Sequence, residues 1–354
     1  MEPSRTEQVV QQLRELYRRY GYTQYKMSKF EPYDLYVHNK SFLVSEDILT
    51  FTDADGRLMA LKPDVTLSIV KNAKEGAGLQ KVYYCENVYR TSPMTRGFRE
   101  IMQTGLECVG EIDLVAMGEV LLLAAKSLET ISGDYLLDVS HLGFVAGLLD
   151  SAQVAEECRA GLLKHMEEKN VPALGVYCRE LGLDPEASED LCQLTALYGP
   201  PAQMLPVLEE MVRGERMELA LAELRDVCSL LPERHLRLDF SIVNNMDYYN
   251  GFIFRGYLPG LPSGVLSGGR YDNLLHQMGR GDGAIGFAVY MNLLERLEGT
   301  RERYDADMLL LYDDKTPVPA VLEEAERCRQ GGQSVRVERQ RPEGLSFRAV
   351  RKVG

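Results

Sequence analysis

Strands and helices in this sequence fall into separate runs, and that ordering constrains the fold more than any single motif. Two strand-like segments, KVYYCENVYR (81–90) and FREIMQTGLECVGE (98–111), are joined by the polar loop TSPMTRG. Ahead of them ILTFTDADGRLMALK reads as a hairpin around Asp55-Gly56, and a helix starts at Asp64 after the Lys62-Pro63 turn. Asp113 caps a further helix, LVAMGEVLLLAAKSL, and YLLDVS is one more strand. From about His141 to Pro232, Leu, Ala and Glu recur at helical periods with little strand signal. Strands then resume with LRLDFSIV, FIFRGYL and the glycine-rich SGVLSGGRYDNLL. This grouping indicates an α+β fold with a largely antiparallel sheet. Residues 1–140 and 233–300 are expected to form its core, 141–232 an inserted helical subdomain, and 301–354 a partial α/β unit.

The N-terminal segment SRTEQVVQQLRELYRRYGY is an amphipathic helix, with Ser4 and Glu7 at capping-box spacing and Gly21 at its end. YTQYKMSKFEPYDLY alternates like a strand that Pro32 stops or confines to an edge. The last fifty residues begin a β-α-β unit (DADMLLLY, AVLEEAERCRQGG, QSVRVER) and stop before a sheet of usual size is finished.

A formal charge of -13 repels polyanions, which disfavours nucleic acid as a partner. No apolar run approaches a membrane span, and MEPSRTEQ has no signal-peptide core. The 7 cysteines stand singly and only 5 histidines accompany them, which suggests neither a disulfide framework nor a metal site. A cytoplasmic location is the expectation.

Several stretches could carry chemistry. NNMDYYNGFIFRGY (244–257) sets two tyrosines behind an aspartate and before a turn, a wall for a small polar ligand, yet asparagines precede it where phosphate chemistry needs a cation. GDGAIG matches a dinucleotide fingerprint literally at Gly281, Gly283 and Gly286, but YDNLLHQMGR before it reads as helix, so a turn is the better account. SGGRYD is either a ligand-approaching loop or a tight turn. In REIMQTGLEC, Gln103, Gly105 and Glu107 share one strand face, which suits a ligand with ammonium or imidazole N–H groups. An ordinary strand with a solvated polar face fits that pattern equally well. Capping accounts for Asp64, and Arg90, Arg96 and Arg99 form either a phosphate cluster or a solvated basic edge.

In their order and spacing, FTDADGRLMALKPDVT, ENVYRTSPMTRGFREIMQTGLECVGE, DYYNGFIF and GGRYDNLL with AIGFAV resemble the catalytic core of histidyl-tRNA synthetases, from Thr6 to about Leu297. The resemblance implies a class II aminoacyl-tRNA synthetase-like sheet of six or seven antiparallel strands flanked by helices, and a dimer through the first helix and strand. It also implies that Asp64, Gln103, Glu107, Tyr248, Tyr249 and Tyr271 stand at histidine-contacting positions. The nucleotide positions depart from the pattern. Arg90 remains, but Ser92 replaces a glutamate, while Asn244 and Leu293 replace arginines. Arg255 stands where a glutamate is usual, and the anticodon-binding domain is at best half present.

An amino-acid half-site without its activating half is similar to the regulatory subunits of ATP phosphoribosyltransferase, including their aspartate at Asp64, although Lys62 replaces an arginine. That resemblance implies a subunit with no catalytic residues, cofactor or metal. Its expected partners are a short-form catalytic subunit, a second copy of itself and L-histidine. The alternatives are a divergent, active synthetase and a paralogue that binds another amino acid or protein.

Overall fold

The computed structural model describes all residues except 1–3, 40–42, 44–47, 75, 77, 92–96, 244–247, 295–296, 298–303 and 354. The chain divides into two compact units, Gln8–Leu297 and Glu298–Gly354 with Met1–Glu7. Helix α1 (Arg5–Arg19) starts with the anticipated capping box, in which Ser4 N–H donates to Glu7 at 2.7 Å and Glu7 N–H to the Ser4 hydroxyl at 3.1 Å. The next stretch departs from a single strand. It holds β1 (Thr23–Gln24), β2 (Phe30–Pro32) and then α2 (Tyr33–Val37), because proline favours the entry to a helix over the middle of a sheet.

There follow β3 (Thr50–Thr52), β4 (Leu58–Leu61), α3 (Thr66–Asn72), β5 (Gln80–Thr91), β6 (Phe98–Gly110), α4 (Leu114–Ile131) and β7 (Leu136–His141). Six helices come next: α5 (Leu142–Ser151), α6 (Glu156–Glu167), α7 (Val171–Glu180), α8 (Pro185–Ala196), α9 (Pro201–Glu210) and α10 (Glu215–Cys228), with the two-residue β8 (Tyr198–Gly199) before α9. The unit closes with β9 (Leu236–Asp239), β10 (Phe252–Tyr257), β11 (Leu266–Arg270), α11 (Asp272–Gln277), β12 (Gly283–Tyr290) and α12 (Met291–Leu294).

The main sheet has nine strands in the order β1-β5-β6-β12-β11-β10-β7-β9-β8. It is wider than the six or seven strands expected. The six from β5 to β7 in that order pair antiparallel, while β1–β5 and β7–β9 are parallel. The extra strands are short segments at the edges, where two to four ladder residues leave little periodicity to read. A separate antiparallel sheet, β2-β4-β3, contains the hairpin around Gly56.

Helices α5 to α10 do not build a core of their own. Leu162, Leu174, Leu191, Leu208 and Leu224 belong to the same buried cluster as Leu13 of α1, Leu121 of α4 and Phe254 of β10. A second cluster, with Tyr36, Val65, Leu67, Tyr84 and Tyr271, surrounds the start of α3. The other unit is a three-stranded parallel sheet, β14 (Val335–Glu338), β13 (Ala306–Leu311) and β15 (Phe347–Lys352), packed by α13 (Val318–Gln330). The third strand was not apparent in the sequence, since FRAVRK is mostly exposed.

Lys62 is almost wholly buried at the end of β4, with Nζ 2.5 Å from Glu86 Oε2 of β5. Removing the cation strands a largely buried carboxylate. Lys62→Ala is expected to destabilise the fold by about 2–3 kcal/mol, discounted for the partial exposure of Glu86. Pairing Lys62→Met with Glu86→Gln should recover most of that loss. Urea denaturation of the three variants checks both outcomes.

Candidate functional site

Alternation in β6 sends Leu106 and Cys108 into the main core and turns Gln103, Gly105 and Glu107 to the other side. That second side is not solvated. Glu107 and Gln103 are each 2% exposed, so the reading of an ordinary polar strand face fails. The strand lies between β5 and β12, and the start of α3 covers it.

The cavity formed there brings together all six residues anticipated for a histidine contact: Asp64, Gln103, Glu107, Tyr248, Tyr249 and Tyr271. Arg90, Thr66, Tyr84 and Tyr290 join them. It measures about 60 Å³, room for roughly four to six waters at about 10–15 Å³ of such volume each. A small polar molecule matches that space.

Glu107 is held by two donors. The Tyr271 hydroxyl donates to Oε2 at 2.6 Å and the Thr66 hydroxyl to Oε1 at 2.8 Å. Burial outweighs both bonds, and nearby Asp64 adds to it, so the carboxyl is pushed up to about 8. Each oxygen retains a lone pair for a further donor.

Asp64 serves two purposes at once. Its Oδ1 accepts the Leu67 N–H at 2.9 Å at the start of α3, as capping requires, while Oδ2 lies 3.8 Å from Arg90 in the cavity. Burial raises its pKa and Arg90 opposes that rise. Arg90 was expected at a nucleotide position. Here it is buried, bonds the Pro63 carbonyl at 2.8 Å and pairs with Asp64, so it orders the Asp64 side of the cavity.

Two glycines make the packing possible. A Cβ on Gly105 would come within 2.1 Å of the Phe287 carbonyl and 2.7 Å of the Tyr84 hydroxyl, so the gap between Gln103 and Glu107 is filled by Tyr84. A Cβ on Gly286 would collide with Glu107 Oε2. The literal dinucleotide fingerprint thus reflects the close approach of a carboxylate to β12, which is a strand.

In SGGRYD only Tyr271 reaches the cavity, along with Ser267. Arg270 and Asp272 form a clasp instead. Asp272 Oδ2 accepts from Arg270 Nε at 2.8 Å and Asn250 Nδ2 at 3.2 Å, and its Oδ1 accepts the Ala284 N–H at 2.9 Å. This fixes the segment after the paired tyrosines. Tyr248 packs on Tyr249 with ring centroids 4.5 Å apart and on Tyr271 at 5.5 Å.

Of the positions expected to form a degenerate nucleotide site, Ser92 and Asn244 lie outside the described residues, as does Arg96 of the arginine cluster. Leu293 packs against the main hydrophobic core, and Arg99 is exposed in β6 opposite Arg90. The sequence reading missed Thr66, Tyr84 and Tyr290. Tyr84 could have been found, since counting the hairpin back from its loop pairs it with Gly105. Thr66 stands two residues past Asp64 in KPDVT, at the same helix start.

The fold and this cavity define a class II aminoacyl-tRNA synthetase-like protein with a buried, amino-acid-sized polar site. A family model of histidyl-tRNA synthetase matches residues 1–294, and the chain belongs to that family. It is 28% identical over 338 residues to an ATP phosphoribosyltransferase regulatory subunit of Oceanobacillus iheyensis, covering 92% of this chain and 83% of that one. A regulatory subunit of the same name from Clostridium kluyveri is 29% identical over 340 residues, with 92% and 87% covered. Among solved structures, an ATP phosphoribosyltransferase regulatory subunit/histidyl-tRNA synthetase from Bacillus halodurans superposes with a TM-score of 0.80 at 25% identity, covering 98% of this chain and 93% of its own. The fold is also that of a chain in an ATP phosphoribosyl transferase (HisG:HisZ) complex from Thermotoga maritima, with a TM-score of 0.64 at 18% identity and 81% and 97% covered. Among the described residues no helix is long and apolar enough to cross a membrane.

Glu107 makes the fold pH-sensitive in a definite direction. Unfolded, it titrates near its ordinary value of 4.5; folded, it titrates at about 8, so between these values the native state holds the extra proton. Its contribution to stability is full below the lower value, declines as pH rises, and is lost above the higher one. Glu107→Gln is expected to flatten this decline. Chemical denaturation at a series of pH values checks it.

Proposed function

We propose that this chain is a regulatory subunit, without catalytic activity of its own, that assembles with a short-form ATP phosphoribosyltransferase and activates it in the first step of histidine biosynthesis. Free L-histidine in the cavity around Glu107 is the feedback signal. One observation carries the reading: polar side chains suited to an amino acid line one buried cavity, while Leu293, where the synthetase resemblance implies a phosphate-binding arginine, packs on the core. The names of the relatives at 28% and 29% identity point the same way.

The chemistry of the pocket suits histidine. The α-ammonium is placed against Asp64 Oδ2, the oxygen not used in capping, with help from the Gln103 amide. An imidazole N–H donates to Glu107, and Tyr249 and Tyr271 close the ring's surroundings. Adenylate formation spreads charge over phosphate oxygens and needs positioned cations. Leucine at 293 and asparagine at 244 supply none. Arg90 is directed to the Pro63 carbonyl through Nε and pairs with Asp64 at 3.8 Å.

Purified protein is expected to show no histidine-dependent ATP–pyrophosphate exchange and no charging of tRNA; exchange at an ordinary synthetase rate would overturn the assignment. It is expected to be at least a dimer alone, to form a larger complex with a short catalytic subunit and to raise that subunit's turnover. Light scattering on the mixture and a coupled assay measure both, and a monomer that leaves the partner's turnover unchanged counts against the reading.

Calorimetry tests the ligand. Glu107→Ala is expected to cost on the order of 2–4 kcal/mol of histidine binding. Arg90→Ala should also weaken it, since it releases Asp64 from its place. Histidine binding draws on ionised Glu107, so the parent's affinity should rise as pH approaches about 8, with protons released on binding. A Glu107→Ala variant that binds as well as the parent would sink the pocket assignment.

A further inference from the structure

The cavity around Glu107 is closed on most sides and open on one. Among the described residues that line it, only Tyr249, Ser267, Ala288 and Tyr290 are not buried. Ser267 of β11 and Ala288 of β12 are paired in register, so two small side chains form the sill of the opening. The bulky members, Tyr249 and Tyr290, flank them.

The register fixes where Tyr290 stands. Alternation puts Gly286, Ala288 and Tyr290 on one face of β12, opposite Glu107, Gly105 and Gln103 of β6. Side chains on that face therefore grow from none, to a methyl group, to a phenol at the end of the strand. At the usual strand rise, the row of Gln103 and Tyr290 lies about 13 Å along from the row of Glu107 and Gly286. Strand β6 is buried from Gln103 to Gly110 and exposed from Phe98 to Glu100, so solvent begins just past the Tyr290 row. Glu107 thus marks the inner end of the cavity and Tyr290 the outer end.

The two flanking phenols come together over the sill. Burial pushes the Tyr249 hydroxyl up, and the neighbouring Tyr290 hydroxyl adds most to that rise. The Tyr249 ring is itself fixed over Gly269, where a Cβ would come within 2.8 Å of it. Tyr290 has no comparable packing duty. Among the described residues it belongs to neither buried cluster of this unit, and its N–H bonds the Val265 carbonyl at 2.8 Å, a contact that any residue but proline would keep.

We propose that Tyr290 is a specificity-determining residue that restricts the cavity to an amino acid with a free α-carboxylate and excludes one extended there as an amide, ester or adenylate. This rests on the placement of histidine proposed above, with its ring at Glu107 and its ammonium at Asp64 and Gln103. In that placement the α-carbon lies toward the Gln103 row, and the carboxylate comes next to Tyr290. A free carboxylate ends short of the phenol, whereas any group joined to it has to displace the ring. Discrimination by a built-in clash needs no contact with the rejected group. The subunit would then report free histidine and ignore histidine already activated or joined in a peptide.

The test is calorimetric titration of the full chain with L-histidine and with the dipeptide L-histidylglycine, which keeps the ring and ammonium and extends the carboxyl as an amide. The parent is expected to bind the dipeptide on the order of tenfold or more weakly than histidine, as for extra atoms forced into a packed site. Tyr290→Ala should bring the two ligands to within about threefold by tightening the dipeptide, with little change in histidine. Tyr290→Phe, which keeps the ring, should discriminate as the parent does. If Tyr290→Ala does not fold, Tyr290→Thr, small and suited to a strand, should narrow the gap in its place. Equal binding of both ligands by the parent, an unchanged gap in the folded small variant, or a Tyr290→Phe variant as permissive as Tyr290→Ala would overturn this proposal and leave the histidine site standing. Absence of histidine binding in parent and variants alike would overturn the placement of histidine as well.

Discussion

The carboxylate of Glu107 is the point on which three separate parts of the chain meet. It lies in the middle strand of a long hairpin pair, takes one hydrogen bond from Thr66 at the start of α3, and takes another from Tyr271 where β11 passes into α11. A buried carboxyl with no donors would be a severe cost in this interior. With both donors in place it locks the helix start and the β11–α11 junction against the sheet. The cavity is what remains between the locked parts, so its shape follows from one satisfied acid.

The elements beyond that contact support it. Arg280 donates to the Val70 and Ala73 carbonyls at 2.8 and 2.9 Å, closing the far end of the same α3 whose near end carries Asp64 and Thr66. The Asp272 clasp holds the segment after Tyr249 to the start of β12. On the opposite side of the sheet, Tyr17 of α1 bonds Ser127 of α4 at 2.9 Å inside the main core. Side chains fixed by packing and by secondary hydrogen bonds are what a polar site needs to hold its geometry without a ligand.

The chain retains the sheet of the synthetase fold. Leu293 packs on the core, where an apolar side chain adds stability and a buried, unpaired arginine would subtract from it. Helices α5 to α10 share their apolar residues with the sheet rather than with each other alone.

Much of the fold was written locally. The capping box at Ser4 and Glu7, the hairpin at Gly56, the Asp113 cap and the alternation in β6 are short-range signals of capping, turn chemistry and period, and each appears as a single element. Four ordered segments likewise identified the six pocket residues, because their side chains sit at fixed places on a recognisable pattern. Other features required the tertiary structure. Whether Gln103 and Glu107 faced water depended on α3 lying over them, and periodicity alone cannot distinguish a solvated face from a covered one. The two-residue edge strands, the pairing of Arg90 with Asp64, and the ion pair of Lys169 with Asp239 arise between segments far apart in sequence. Residue order determined which groups this protein carries on each element; packing decided which of them are buried together, and burial is what gives a carboxylate its chemistry.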